Sequence, residues 1–275
     1  MLEDPLDTVF TEIKNLQAKY NIKGASIALS RGNDSDIQTM PFGYANECDA
    51  VGPSTLFEIA SLSKTFASAF AIEYFAKRNI SLDTSVNKLL RECGSAFRLS
   101  HPVHVEWGEQ VTLEHLMSHS ALNMHYVNGV PLDDDMPCVQ DFLNGNEAYG
   151  YPPVEVLSKP GTLFHYSGGG FLVLQHLIES FEKSQSIHSI MLPFLKELGI
   201  DDNSLTFEAK PPNESKIARG YNDNGQMYGH GGRKMFPAFP AGACGTPESV
   251  AKLLRCLSDA YNDPNGSGPI SHETA

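Results

Sequence analysis

The sequence lacks a hydrophobic run long enough to cross a membrane, and it also lacks clusters of basic residues. No stretch of about 18 consecutive apolar residues occurs. Lysine and arginine total 20 against 33 acidic residues, which gives a formal net charge of −13. Nucleic-acid-binding surfaces require a basic patch, and anionic membranes attract basic segments. The composition therefore predicts no membrane span and no nucleic-acid partner.

Cysteines with the spacing of a disulfide framework are also absent. The number of cysteines is odd, they are widely spaced, and none forms a Cys-x-x-Cys pair: Cys48, Cys93, Cys138, Cys244 and Cys256. This pattern is typical of thiols kept in a reducing compartment rather than of a stapled secreted domain. The N-terminus shows no basic region followed by an apolar stretch, so no signal peptide is visible. Together these features favour a cytoplasmic location.

The sequence contains enough apolar material for one folded domain. It has 275 residues, of which 41% are hydrophobic and 19% charged, a balance typical of globular chains. Apolar spacing and turn residues predict an α+β protein. The predicted elements are a helix over 6–20, strands over 25–30 and 37–45 around the turn Gly32-Asn33-Asp34, helices over 61–77, from Thr112 through Leu116, over 168–182 and over 187–198, a polar segment over 203–234, and a last helix.

That last helix is predicted by its capping residues. Thr246 suits the N-cap, Pro247 suits the first helical position, and Glu248 is favoured by the positive end of the helix dipole. Its apolar face is predicted to consist of four side chains: Val250, Leu253, Leu254 and Leu257.

Ser61 and Lys64 form the most informative pair in the sequence. They stand three positions apart at the start of the helix predicted over 61–77, so both side chains share one face. A helix N-terminus favours developing negative charge, and loss of hydration favours the neutral amine of a lysine, which can activate a hydroxyl nucleophile. The Ser-x-x-Lys pattern also occurs by chance, and on these residues alone Ser63 is an equally good candidate nucleophile.

Longer strings place this pair in a family context. The string Phe57-Glu-Ile-Ala-Ser61-Leu-Ser-Lys64-Thr65 closely resembles the first motif of class C β-lactamases and of related esterases and D-amino-acid peptidases. The string Pro160-Gly-Thr-Leu-Phe-His-Tyr166-Ser167 resembles the second motif of the same superfamily, the serine β-lactamases and penicillin-binding proteins. Segments 113–120, 198–200 and 241–248 also match the family in order.

The resemblance implies roles for five residues. Ser61 would be the nucleophile, Lys64 the general base and Tyr166 the relay of a proton to or from the leaving group. The N–H of Ser61 would form half of an oxyanion hole. Ser167 and Gly168 would contribute to substrate binding. The resemblance implies neither a cofactor nor a metal.

The resemblance also implies a β-lactamase/transpeptidase-like fold, with an antiparallel sheet flanked by helices and an inserted helical subdomain. We expect a single domain over 1–275, with an α/β part over 1–60 and 206–275 and a mainly helical part over 61–205. The expected partner is a small ester, amide or peptide substrate.

The chain departs from the family pattern at two places. The family has an asparagine where this chain has Gly168, which puts efficient β-lactam hydrolysis in doubt more than acylation. The third motif, Lys-Thr-Gly or His-x-Gly, does not follow segment 241–248, and His230-Gly231-Gly232, which precedes it, is interpreted as a turn. We therefore expect the final strands to be missing from these residues and to exist as a separate C-terminal polypeptide, to have been cleaved away, or to lie outside the given sequence.

The favoured interpretation is a serine hydrolase that forms an acyl-enzyme at Ser61. Within the enzyme class, the alternative is a β-lactamase or a D-Ala-D-Ala carboxypeptidase. Outside it, the alternative is a catalytically silent binding or scaffold protein on the same fold. Metal sites are not favoured, because the histidines at positions 115, 119 and 125 lack a suitable further ligand and Asp133-Asp134-Asp135 lacks EF-hand spacing.

Overall fold

Helices dominate the computed structural model, and the fold is α+β as predicted. The structure describes residues 5–31, 36–123, 128–183 and 185–275, so the predicted turn at 32–34 lies outside the described residues. The helices are α1 (Pro5–Tyr20), α2 (Ser63–Ala76), α3 (Val86–Glu92), α4 (Val105–Gln110), α5 (Leu113–Met117), α6 (Val139–Leu143), α7 (Gly168–Phe181), α8 (Ile187–Glu197) and α9 (Pro247–Asn262). The sequence interpretation missed α3, α4 and α6, because helices of five to seven residues show too little of an apolar repeat.

The strands form two small antiparallel sheets. Strand β1 (Gly24–Ser30) pairs along its whole length with β2 (Ile37–Gly43), so that Ile27 lies opposite Met40. The second sheet has the order β3 (Phe57–Glu58), β5 (Cys244–Gly245), β4 (Leu205–Thr206). The predicted second strand was two residues too long, because Gly43 adopts a φ of +66° that turns the chain out of the extended conformation.

Helix α2 begins two residues later than predicted. Ala60–Leu62 form a 3₁₀ turn, and the α-helix starts at Ser63. Ala60 has a φ of +45°, in the left-handed region that a residue with a Cβ adopts only at a cost. A regular helix cannot continue back through this conformation, so Ser61 lies in the turn that leads into α2.

The core is built around α2 and α7. Both helices are apolar on most sides: Phe66, Ala67, Ala71, Phe75, Leu172, Val173, Leu174 and Leu177 are all completely buried. Gly170 lets α7 approach α5 closely, since a Cβ there would lie 2.6 Å from the carbonyl oxygen of Leu116. The pair of helices therefore gives the protein a rigid interior against which the candidate site is built.

The apolar face of α9 is narrower than predicted. The N-cap at Thr246 is confirmed, since its side chain accepts a hydrogen bond from the N–H of Ser249. Leu253 is fully buried, but Leu254 is 55% exposed. The prediction for Leu254 was wrong because it lies beside the apolar row and faces a groove next to β1. Among the described residues, no helix combines the length and the hydropathy needed to cross a bilayer.

Candidate active site

Ser61 lies on the surface, in the 3₁₀ turn that joins β3 to α2. Its neighbour Ala60 carries the left-handed backbone described above. The turn is closed by the N–H of Leu62, which donates to the carbonyl of Ile59 at 3.0 Å. The hydroxyl of Ser61 thus lies at the N-terminal end of a buried helix and is still exposed to solvent.

Lys64 is buried beneath Ser61. Its side chain is 8% exposed, and Nζ donates to Ser61 Oγ at 3.2 Å and to the backbone carbonyl of Pro240 at 2.5 Å. The ammonium also lies 4.9 Å above the ring of Tyr166. A buried lysine requires such partners, and here one of them is the hydroxyl that it would have to deprotonate.

Tyr166 completes the cluster from the other side. Its Oη lies 2.7 Å from Ser61 Oγ. Partial burial raises the pKa of the Tyr166 phenol, but hydrogen bonds to Lys64 and Ser61 and the positive charge of Lys64 outweigh it, so the pKa is lowered from its ordinary value. The structure therefore brings Ser61, Lys64 and Tyr166 together, although Tyr166 is 105 positions from Ser61 in sequence. Their catalytic roles stay predictions.

Ser63, the rival nucleophile on sequence grounds, is occupied in holding the backbone. It is completely buried. Its hydroxyl donates to the carbonyl of Ala60 at 2.5 Å and accepts from the N–H of Ala243 at 3.0 Å. With both hydrogen-bonding functions used inside the protein, Ser63 has no access to a substrate, and the geometry favours Ser61.

Ser167 and Gly168 lie behind Tyr166 rather than beside Ser61. Both are buried. The hydroxyl of Ser167 donates to the carbonyl of Asn123 at 2.6 Å and accepts from the N–H of Gly170 as the N-cap of α7. These bonds make Ser167 a support for Tyr166, and the roles of both residues in substrate binding stay predictions.

His119 supports Tyr166. The sequence interpretation considered this histidine only as a possible metal ligand and did not identify that role. Its Nδ1 accepts from the N–H of Ser167 at 3.0 Å, and its ring centroid lies 4.4 Å from that of Tyr166. Burial lowers the pKa of His119, and the charge of Lys64 lowers it further. The imidazole thus packs against Tyr166. Its φ of +56° is the local signal of a specialised position.

The backbone carbonyl of Pro240, which accepts a hydrogen bond from Lys64, was also missed by the sequence interpretation. Pro240 belongs to a π-helical turn, Ala238–Gly242, that lies between α2 and α7. Such turns are rare and cluster at functional sites. The only available sequence signals were two prolines in four residues, Pro237 and Pro240, and the match of segment 241–248 to the family.

Other candidate ligands have structural partners. The Nδ1 of His115 accepts from the N–H of Thr112 in a capping box at the start of α5, and Asp134 accepts from Tyr149. His125 lies outside the described residues, and the predicted turn around His230 is a 3₁₀ turn, Gly229–Gly232. Over the ranges that the structure describes, no group of three His, Cys, Asp or Glu side chains could hold a metal ion.

One side of the cluster is open. A cavity of about 380 Å³ lies between β1, β3, β5 and α9, and we call it the strand-side groove. Its wall beside Ser61 includes Leu62, which is 50% exposed, and its far wall includes Leu254. Within the described residues β1 pairs only with β2, and the buried hydroxyl of Ser26 on β1 has no hydrogen-bond partner. The groove is therefore apolar and bordered by a free strand edge.

Comparisons with known proteins identify a family and a fold. A family model described as Beta-lactamase matches residues 9–268. The fold is similar to that of a β-lactamase/D-alanine carboxypeptidase from Pseudomonas syringae (19% identity, TM-score 0.70), a D-alanine carboxypeptidase from Burkholderia cenocepacia (20%, 0.65) and a class C β-lactamase from Rhodobacter sphaeroides (18%, 0.63). No curated protein matches.

The similarity covers most of this chain but only part of the other structures. It extends over 98%, 91% and 96% of this chain and over 69%, 63% and 67% of the three structures, respectively. The chain thus spans about two thirds of their length. The predicted β-lactamase/transpeptidase-like fold is confirmed.

Proposed function

Since this chain belongs to the beta-lactamase family, we propose that it is a serine hydrolase that forms an acyl-enzyme at Ser61. The observation that carries the proposal is that Ser61 Oγ lies within hydrogen-bond distance of two proton-transfer groups, Lys64 Nζ at 3.2 Å and Tyr166 Oη at 2.7 Å. A hydroxyl nucleophile needs an adjacent base, and this arrangement supplies one.

The proposed reaction has two steps. Ser61 Oγ bonds to the substrate carbonyl carbon while the amine of Lys64 accepts the hydroxyl proton. The bond from that carbon to the alcohol oxygen or amine nitrogen then breaks as Tyr166 delivers a proton to the leaving group, and the proton on Lys64 passes to Tyr166. In the second step water attacks the ester formed at Ser61 and gives a proton to Lys64, and the bond to Ser61 Oγ breaks as that oxygen takes the proton back, which releases the acid. The N–H of Ser61 is one donor to the oxyanion, because the first N–H groups of a helical turn lack partners within the turn.

The proposed substrates are an ester, an amide or a D-amino-acid peptide. The names of the similar structures include both β-lactamase and D-alanine carboxypeptidase. Gly168, where the family pattern has an asparagine, disfavours efficient β-lactam hydrolysis. Ester or peptide cleavage is therefore the favoured activity, and a β-lactamase or D-Ala-D-Ala carboxypeptidase is the alternative.

The test is intact mass before and after exposure to a fluorophosphonate probe. We expect one adduct on the wild type, its loss in Ser61→Ala, and its retention in the matched control Ser63→Ala. Unlabelled wild type would then be screened against p-nitrophenyl acetate, a D-alanyl-D-alanine peptide and a chromogenic cephalosporin. Absence of an adduct on folded wild type, checked by circular dichroism, would overturn the proposal and favour a catalytically silent scaffold.

We also propose that a strand-forming polypeptide, separate or continuous with this one, completes the sheet at the strand-side groove. The support is the free edge of β1, the exposed Leu62 and Leu254, and the greater length of the similar structures. Protein purified from its source should have an intact mass above 30.1 kDa or should retain a second polypeptide. A mass of 30.1 kDa alone, with Ser61 fully reactive, would contradict this.

A further inference from the structure

The Ala238–Gly242 turn carries the Pro240 carbonyl, so the position of the turn decides whether Lys64 keeps its backbone acceptor. Downstream, the turn is tied to α2, because the N–H of Ala243 donates to Ser63 Oγ at 3.0 Å. The ring of Phe239 fixes the middle of the turn, since it is completely buried among other aromatic rings. The remaining degree of freedom is the upstream backbone of the turn.

That backbone is held by a side chain of α7. The N–H of Phe239 donates to Gln175 Oε1 at 3.2 Å. Gln175 is 5% exposed, and its Nε2 donates to Glu179 Oε1 at 3.1 Å. Glu179 in turn accepts from the N–H of Ile187 at the start of α8, also at 3.1 Å. The side-chain amide of Gln175 thus accepts from the buried N–H of Phe239. That amide is oriented by the carboxylate of Glu179, four residues further along α7.

From this chain of contacts we infer that Gln175 is a positioning residue for catalysis, which sets the Pro240 carbonyl against Lys64 and is oriented by Glu179. The inference rests on the proposed acylation of Ser61. It gives a reaction role to two polar residues of α7 that do not touch Ser61, Lys64 or Tyr166. The family pattern has an asparagine where this chain has Gly168, so no side-chain amide from that position can contact Lys64. The backbone carbonyl of Pro240 is therefore the acceptor whose position matters.

Loss of Gln175 has one expected consequence for the reaction. Without its acceptor the turn relaxes, the Pro240 carbonyl moves away from Lys64, and Lys64 is held less well against Ser61. Acylation of Ser61 should therefore slow, although Gln175 does not contact the nucleophile.

The experiment compares Gln175→Met with wild type, using the rate constant of fluorophosphonate labelling between pH 5 and 9. Methionine keeps the length of the side chain but offers no comparable acceptor. We expect a decrease of about tenfold at the rate maximum. Hydrogen exchange should also show faster exchange of the amide of Phe239.

Two further variants separate positioning from general damage. Leu177→Met changes a fully buried neighbour on α7 without touching the polar chain, and its labelling profile should match the wild type. The exchange of Gln175→Glu with Glu179→Gln in one protein restores an acceptor and its orienting partner, and should recover most of the rate.

The outcomes separate this inference from the proposed function. If wild type is not labelled, the proposed function fails and the inference fails with it. If wild type is labelled at Ser61 but Gln175→Met has the same rate and the same pH profile, only the inference is overturned, because Gln175 is then merely structural. Unchanged exchange of Phe239 in that variant would overturn it as well.

Discussion

The two sides of the Ser61 cluster differ in how completely they are built. On the helical side, α2, α7 and the Ala238–Gly242 turn bury their side chains and satisfy the polar groups beside Lys64. On the strand side, most of β1 is only half-buried, and the groove beside it exposes Leu62 and Leu254. The proposed proton-transfer groups thus lie on the closely packed side, whereas the open side is where we propose that a substrate or a further strand approaches.

The difference has a physical reason. Moving a proton requires donor and acceptor atoms held within a few tenths of an ångström, and a close-packed helical core provides that rigidity. An apolar groove with a free strand edge provides surface area for binding, but it does not hold atoms in precise positions. Four predictions would break or sharpen this comparison.

The largest effect is expected at Lys64, the proposed general base. Lys64→Met should lower the rate constant for labelling of Ser61 by about a thousandfold, since general-base catalysis contributes roughly 10²–10⁴. The matched control is Lys77→Met at the end of the same helix, where the ammonium is exposed and forms a surface ion pair with Glu197. Equal rates for the two variants would show that Lys64 is not the base.

The next effect contrasts the stability of the two sides. Phe66→Ala removes a fully buried ring from α2 and should lower the free energy of unfolding by about 3 kcal/mol. Ile27→Ala on the half-buried β1 should cost about 1 kcal/mol. Urea unfolding measures both. Similar losses at the two positions would mean that the strand side is packed as firmly as the helical side.

A third prediction concerns pH. Burial lowers the pKa of His119 below its unfolded value of 6.5, so the unfolded chain binds a proton that the folded protein resists. The contribution of His119 to the free energy of unfolding is fully present above pH 6.5, and it is lost as the pH falls through the lowered pKa. His119→Asn keeps an acceptor for the N–H of Ser167, and it should lose less stability than wild type between pH 7.5 and 5. Urea unfolding at both pH values measures this.

A contrary result would also be informative. His176 has a pKa lowered by burial too, and its variant His176→Asn is the control for the same pH window. If His119→Asn loses as much stability on acidification as wild type while His176→Asn loses less, the pH dependence arises away from the active site.

The smallest effect is expected in the groove. Leu254→Ala should change the free energy of unfolding by at most about 0.5 kcal/mol, because the side chain is 55% exposed. The adjacent Leu253→Ala, on the buried face, should cost about 2–4 kcal/mol. Thermal unfolding of the two variants compares them directly. A large loss at Leu254 would show that the groove is already filled by a packed partner.

Much of the helical framework could be predicted from the sequence. The helices α1, α7, α8 and α9 follow from apolar spacing and from capping residues such as Thr246. The short helices α3, α4 and α6 could not be predicted, because their burial comes from neighbours rather than from an internal repeat. The start of α2 was misplaced by two residues, since the left-handed backbone of Ala60 has no signature in an alanine.

The candidate site also has one part that the sequence pattern predicts and one part that it does not. The pairing of Ser61 with Lys64 is local, because a separation of three residues along a helical path brings two side chains together whatever the rest of the chain does. Tyr166 entered through family resemblance and not through any local pattern. Its contact with Ser61 was therefore an expectation until the structure placed α7 beside α2.

The sequence by itself determined the helical core, the acidic composition and the adjacency of a hydroxyl to a lysine. Only the tertiary structure decided which serine is accessible and which groups hold Lys64. Ser61 and Ser63 look alike in the sequence, but the hydroxyl of Ser63 is used up by Ala60 and Ala243. The Pro240 carbonyl lies 176 positions from Lys64. Contacts of that range depend on how packed helices bring distant backbone together, whereas a helix repeat depends only on neighbours along the chain.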